Sequence, residues 1–141
     1  MKRVYISGKI GEEEISGATR AKFARAEEML KAKGYEVFNP CDERWQRVLK
    51  REYQEDQKER SPELIGKWPS FYAYTLLRDL MVLATKDAVY FLEDWSLSNG
   101  ANTELSFATG CGIKKLFQDK KDAEVFHDYD IENPEDVWLP L

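Results

Sequence analysis

The stretch Asp87–Gly110, DAVYFLEDWSLSNGANTELSFATG, decides how this chain is read. It opens on a near-continuous apolar run, Asp87–Leu92, the pattern of a central strand buried on both faces. A polar turn follows over Glu93–Asn99. A helix is then expected over Gly100–Thr109, with Ala101, Leu105 and Ala108 as its inner stripe. Ser98 or Asn99 is a good N-cap for that helix. Gly100 removes a side chain where the first backbone amides open outward. Open amides and the positive end of the helix dipole together suit an anion such as a phosphate.

Upstream, Arg3–Ser7 alternates weakly and is rich in β-formers, so it reads as a strand. Gly8–Gly17 reads as a loop. Phe23, Ala26, Met29 and Leu30 recur at helical spacing within Ala18–Lys33, and Gly34 follows as a stop. Tyr35–Pro40 is a short second strand. Strand, helix, strand implies a parallel pair joined by a right-handed crossover. Asp42–Arg60 is densely charged, with Trp45, Val48, Leu49 and Tyr53 on one stripe, and reads as an amphipathic helix inserted after strand two. A loop with two prolines leads to a helix over Phe71–Ala84, whose Leu76, Leu77, Leu80 and Leu83 are expected to face the sheet. Downstream, Gly110 and Gly112 break the chain before a last strand, Lys114–Gln118. The final residues, about 119–141, form an acidic extension that packs as a strap or serves an oligomer contact.

The expected fold class is α/β: three layers, with an open, mostly parallel sheet of flavodoxin or Rossmann type and helices on both faces. One domain, 1–141, accounts for the 141 residues, which are 43% hydrophobic. In such sheets, ligands bind off the carboxyl ends of the strands at the switch in strand order. That rule selects the loops after Ser7, Asn39 and Leu92.

Composition narrows the chemistry. With 26 acidic against 21 basic residues the net charge is −5, which argues against bulk nucleic-acid binding but not against a local phosphate site. No run approaches a membrane span, and the first apolar run is too short for a signal segment, so the expected location is cytoplasmic. Cys41 and Cys111 are read as unpaired, buried thiols; no metal site is expected. His127 is the only histidine, and no nucleophile motif points to it. Chemistry here rests on carboxylates, hydroxyls and backbone amides.

Three side chains stand out, each with two readings. Glu104, near a helix start, is either a solvated acid serving the dipole or an ionised nucleophile. Tyr5 is either a core aromatic or a hydroxyl that holds a carboxylate. Asp79, among leucines, is either solvated beside Arg78 or faces a cleft where burial raises its pKa for proton transfer. Trp68, Phe71, Tyr72 and Tyr74 are a stacking wall for a base or plain core aromatics.

Taken together, VYISG (4–8), FARAEEMLKAKGYEVFNP (23–40) and LLRDLMVLATKDAVYFLEDWSLSNGANTELSFATGCGI (76–113) resemble the nucleoside 2-deoxyribosyltransferase-like superfamily. The branch most similar is a small bacterial and phage group of unassigned function. The resemblance spans roughly residues 2–118. It implies that Glu104 attacks C1′ of a sugar, that Asp79 handles the base proton and that Tyr5 holds the nucleophile. It implies that Ser98 and Gly100 grip a 5′-phosphate, with Ser7, Gly8, Trp95 and Asn99 as further substrate contacts. An acid tends to replace this Ser in relatives acting on free nucleosides, so Ser98 tilts the expectation toward a nucleotide. The implied function is a nucleotide N-glycosidase or deoxyribosyltransferase, without cofactor or metal, acting on a (deoxy)nucleoside monophosphate as a homo-oligomer, dimer or higher. The alternatives are a nucleotide-binding or sensing module on the same fold, or an interaction protein that uses the inserted helix and the tail. The sequence departs from its relatives in the loop after strand one, in the insertion at 42–60 and in the acidic tail.

Overall fold

The computed structural model describes residues 2–10, 14–59, 68–129 and 133–141, with the side chains of residues 58 and 59 excepted. Four parallel strands form one sheet in the order β2-β1-β3-β4: β1 (Arg3–Ser7), β2 (Glu36–Phe38), β3 (Ala88–Phe91) and β4 (Lys114–Phe117). Among the described residues five α-helices connect or follow them: α1 (Gly17–Ala32), α2 (Glu43–Glu59), α3 (Phe71–Leu83), α4 (Asn99–Cys111) and α5 (Lys120–Phe126). The chain steps outward from β1 to β2, then returns and leaves on the other side through β3 and β4. That reversal places the switch point between β1 and β3. With right-handed crossovers it also puts α1 on one face and α4 on the other. The expected three-layer α/β architecture is what the chain adopts.

Local chemistry explains the element ends. Ser16 caps α1 by accepting the Thr19 amide, and the buried stripe Thr19, Phe23, Ala26 and Leu30 seats the helix on the sheet. Gly34, at φ +92°, and Gly112, at φ +70°, take left-handed conformations just beyond α1 and at the end of α4. Gly110, expected as a breaker, lies inside α4, because the helix runs on to Cys111 before Gly112 ends it. β3 is buried along its whole length, as its apolar run demands. On α3 the expected inner stripe shifts. Leu77 is 43% exposed, while Asp79 takes a buried position one turn before Leu83. Of the two thiols only Cys41 is buried; Cys111 is exposed at the last turn of α4.

The amphipathic helix expected over 42–60 is observed as Glu43–Glu59, with Leu49 fully buried. Residue 60 and most of the expected loop after it, 61–67, lie outside the described residues. The acidic tail does pack as a strap. Asp119 caps α5, a 3₁₀ turn covers Pro134–Val137, and Trp138 bridges in parallel to Phe117. The Tyr90 hydroxyl donates to the Leu139 carbonyl, and the Leu139 amide donates to Phe117 O at 2.8 Å. This strap covers the β4 edge, which would otherwise present unpaired backbone groups. Among the described residues no helix is long and apolar enough to cross a membrane.

Candidate active site

A cleft of about 570 Å³ opens at the carboxyl ends of β1 and β3, a volume suited to a small metabolite. Its floor comes from β1. Successive strand side chains point to opposite faces, so Tyr5 and Ser7 share the face opposite Val4 and Ile6. Both reach the acid on α4: Ser7 Oγ donates to Glu104 Oε1 at 2.8 Å, and the Tyr5 hydroxyl lies within hydrogen-bonding reach of Glu104. The same hydroxyl reaches Asp79 on α3. One phenol therefore links two carboxyl groups that come from different helices.

Both carboxyls are removed from bulk water. Glu104 is 6% exposed and Asp79 is 7% exposed, yet both line the cleft. Burial is the main reason their pKa values rise, Glu104 to about 8 and Asp79 to about 7. The charge of Asp79 adds to the rise at Glu104, while the hydrogen bonds from Tyr5 and Ser7 oppose it. At Asp79 the opposing groups are the Trp45 indole, Arg78 and Tyr5. The two acids interact, so the protons belong to the pair, and near neutral pH the pair holds about one. Burial pushes the Tyr5 phenol well above its ordinary value, so it stays protonated and remains a donor.

The start of α4 forms one wall. Ser98 caps the helix by accepting the Ala101 amide at 3.1 Å, which leaves its own proton to donate. The amides of Asn99 and Gly100 have no intrahelical acceptor at this position. The Gly100 amide faces the Tyr72 hydroxyl, which lies 3.0 Å from where a Cβ on Gly100 would sit. Across the cleft, Gly8 approaches Leu92 so closely that a Cβ would meet Leu92 Cδ1 at 2.7 Å. Asp94 ties the two loops together, accepting the Lys9 amide at 3.0 Å with one oxygen and pairing with Lys22 through the other.

A family profile described as a domain of unknown function, DUF4406, matches residues 2–117. The chain belongs to the DUF4406 family. No curated protein sequence matches it. Its structure is similar to that of a 2-deoxyribosyltransferase from the psychrotolerant bacterium Bacillus psychrosaccharolyticus, a biocatalyst for the synthesis of antiviral and antitumoral nucleosides. That likeness covers 98% of this chain and 97% of the other, with 14% identity and a TM-score of 0.51. The DUF4406 chain thus shares the fold of that 2-deoxyribosyltransferase.

Within this DUF4406 fold, the residues singled out in the sequence divide into three groups. Tyr5, Gly8, Asp79, Ser98, Asn99, Gly100 and Glu104 all line the cleft. Ser7 is brought to the site but sits behind it, 1% exposed, with its hydroxyl on Glu104. Trp95 does not reach the cleft. It is 3% exposed, packs edge-on against Phe91 and Phe126, and donates to Asp122 at 3.0 Å. The reason is the 3₁₀ turn Trp95–Leu97, which directs the indole toward α5. The aromatic wall also divides. Phe71 and Tyr72 line the cleft, whereas Trp68 and Tyr74 pack on each other, with Tyr74 bonded to Glu52 on α2.

Sequence reading missed Trp45 and Gln46. Trp45 Nε1 donates to Asp79 Oδ1 at 2.9 Å, and Gln46 lines the cleft with its amide on the Pro40 carbonyl at 2.6 Å. The stripe that marks α2 as amphipathic does carry Trp45, but nothing local says that its ring meets an acid 34 residues later.

Proposed function

We propose that this chain cleaves the N-glycosidic bond of a (deoxy)nucleoside monophosphate, with Glu104 as nucleophile and Asp79 as proton donor. The observation that carries the reading is the pair of buried carboxyls on one cleft, joined through Tyr5, one helical turn from an open helix start. The similar fold of a 2-deoxyribosyltransferase supports it at the level of glycosyl transfer.

The chemistry is internally consistent. A Glu104 oxygen bonds to C1′ as the C1′–N bond breaks, and the electron pair of that bond passes to the base. The Asp79 proton moves onto the base, which leaves neutral. Water or a second base then attacks C1′, Glu104 departs as carboxylate, and Asp79 recovers a proton from the incoming group. The active form carries one proton on the pair, held by Asp79; it is the minor arrangement, because Glu104 is the weaker acid and holds that proton most of the time. The 5′-phosphate would meet Ser98 and the amides at the start of α4, where the helix dipole favours an anion.

The test is incubation with a panel of ribo- and deoxyribonucleotides and nucleosides, with release of free base followed by chromatography. Base release is expected from a monophosphate and is expected to fall about 10³-fold or more in Glu104→Ala. Its pH profile is expected to be bell-shaped, with the maximum between about pH 7 and 8. Below that interval both acids are protonated and Glu104 cannot attack; above it neither acid has a proton to give. Nucleotide binding without turnover, unchanged in Glu104→Ala and lost in Ser98→Ala, would replace this reading with a nucleotide-binding module.

A further inference from the structure

We propose that Trp45, on helix α2, is a positioning residue for the Asp79 carboxyl and fixes which of its oxygens carries the proton. This rests on the reading of Asp79 as the proton donor. The indole N–H can only donate. At 2.9 Å from Asp79 Oδ1 it needs a lone pair there, so Oδ1 is held as an acceptor and the transferable proton belongs on Oδ2. As that proton leaves, charge grows on Asp79, and a hydrogen bond to a carboxylate is stronger than one to a neutral acid. The indole thus favours the state in which the proton has been given away.

The ring is itself fixed. Phe38 packs edge-on against it, with centroids 5.4 Å apart at 82°, and Phe38 in turn stacks on Tyr5 at 5.5 Å. The Arg78 guanidinium lies 5.8 Å over the indole and pairs with Glu52 at 3.0 Å. Glu52 also accepts from the Tyr74 hydroxyl at 2.9 Å, which pins α2 to α3. Trp45 does not line the cleft, so it acts through Asp79 and not on a ligand. The other titratable or charged groups facing Asp79 are Tyr5 from β1, Tyr72 and Arg78 from α3, and Glu104 from α4. Trp45 is the contribution of α2. Helix α2 therefore tunes the acid.

Trp45→Phe keeps a ring and removes the N–H. The Asp79 carboxyl titration, followed by carbon NMR, is expected to move up by about one pH unit. With the best nucleotide substrate, kcat is expected to fall about tenfold while KM stays within about twofold. In an Asp79→Asn background the same substitution is expected to change kcat by less than about twofold. An unmoved titration, or an equal fall in both backgrounds, overturns the proposal in favour of packing alone. The native protein offers a check that needs no tryptophan variant. The Trp45 indole N–H resonance is expected to titrate with Asp79 and to stop doing so in Asp79→Asn; a resonance indifferent to pH overturns it. If no nucleotide or nucleoside releases base, the proposed reaction fails, and the two titrations still decide the role of Trp45.

Discussion

Among the described residues three tryptophans donate to aspartates: Trp68 to Asp56, and a pair that invites comparison, Trp45 and Trp95. Trp45 Nε1 reaches Asp79 at 2.9 Å, and Trp95 Nε1 reaches Asp122 at 3.0 Å. Each indole is packed edge-on by a phenylalanine, Phe38 in one case and Phe126 in the other. The surroundings differ. Asp122 is half-buried in the first turn of α5, where the helix dipole favours its ionised form, and it lies away from the cleft. Asp79 sits in mid-helix, almost wholly buried, and shares a cavity with a second acid. Burial raises the pKa at both, yet only at Asp79 does it reach about 7. The bond alone does not separate the two aspartates. A cavity in front of the Asp79 carboxyl and the loss of water behind it do.

The sharpest way to break this comparison is to neutralise each aspartate. Asp79→Asn removes the proposed proton donor and is expected to lower kcat for base release by about 100-fold or more. Asp122→Asn is expected to leave kcat within about twofold. Equal losses would mean that both pairs serve only the fold.

A second measurement bears on burial itself. Unfolded, Glu104 ionises near its ordinary 4.5; folded, near 8. Below the lower value both states are protonated and the contribution of Glu104 to stability is complete. As pH rises between the two, unfolding releases a proton, so that contribution is lost by about pH 8. Denaturant melts of the wild type are expected to fall more steeply than those of Glu104→Gln, which keeps only the parallel loss at Asp79, a difference of roughly 2–4 kcal/mol between pH 5 and 8. Parallel curves would show that the site is wetter than its geometry implies.

The smallest expected effect belongs to the structural pair. Trp95→Phe leaves Asp122 without its donor and is expected to cost about 1 kcal/mol in thermal or denaturant unfolding. The pH profile of base release should not move. A shifted profile would tie the Trp95 region to the chemistry and undo the contrast with Trp45.

Much of this molecule is legible without coordinates because its signals are local. The apolar run of β3, the 3.6-residue stripe of α1 and the capping residue of α4 each sit within a dozen residues of sequence, and each forms the expected element. Gly110 and Leu77 were misread for the complementary reason. Helix length and helix rotation are set by what the helix packs against, and a short window does not contain it.

The sequence by itself determined a parallel α/β sheet, the three loops at its carboxyl edge and the residue types available there, because periodicity and turn chemistry are properties of neighbouring residues. Only the tertiary structure decided which of them meet. It took Trp95 out of the cleft, put Ser7 behind Glu104 and placed Trp45 against Asp79. A site of this kind depends on burial and on distances between segments up to 97 residues apart, and those are set by how layers pack rather than by any one stretch of chain.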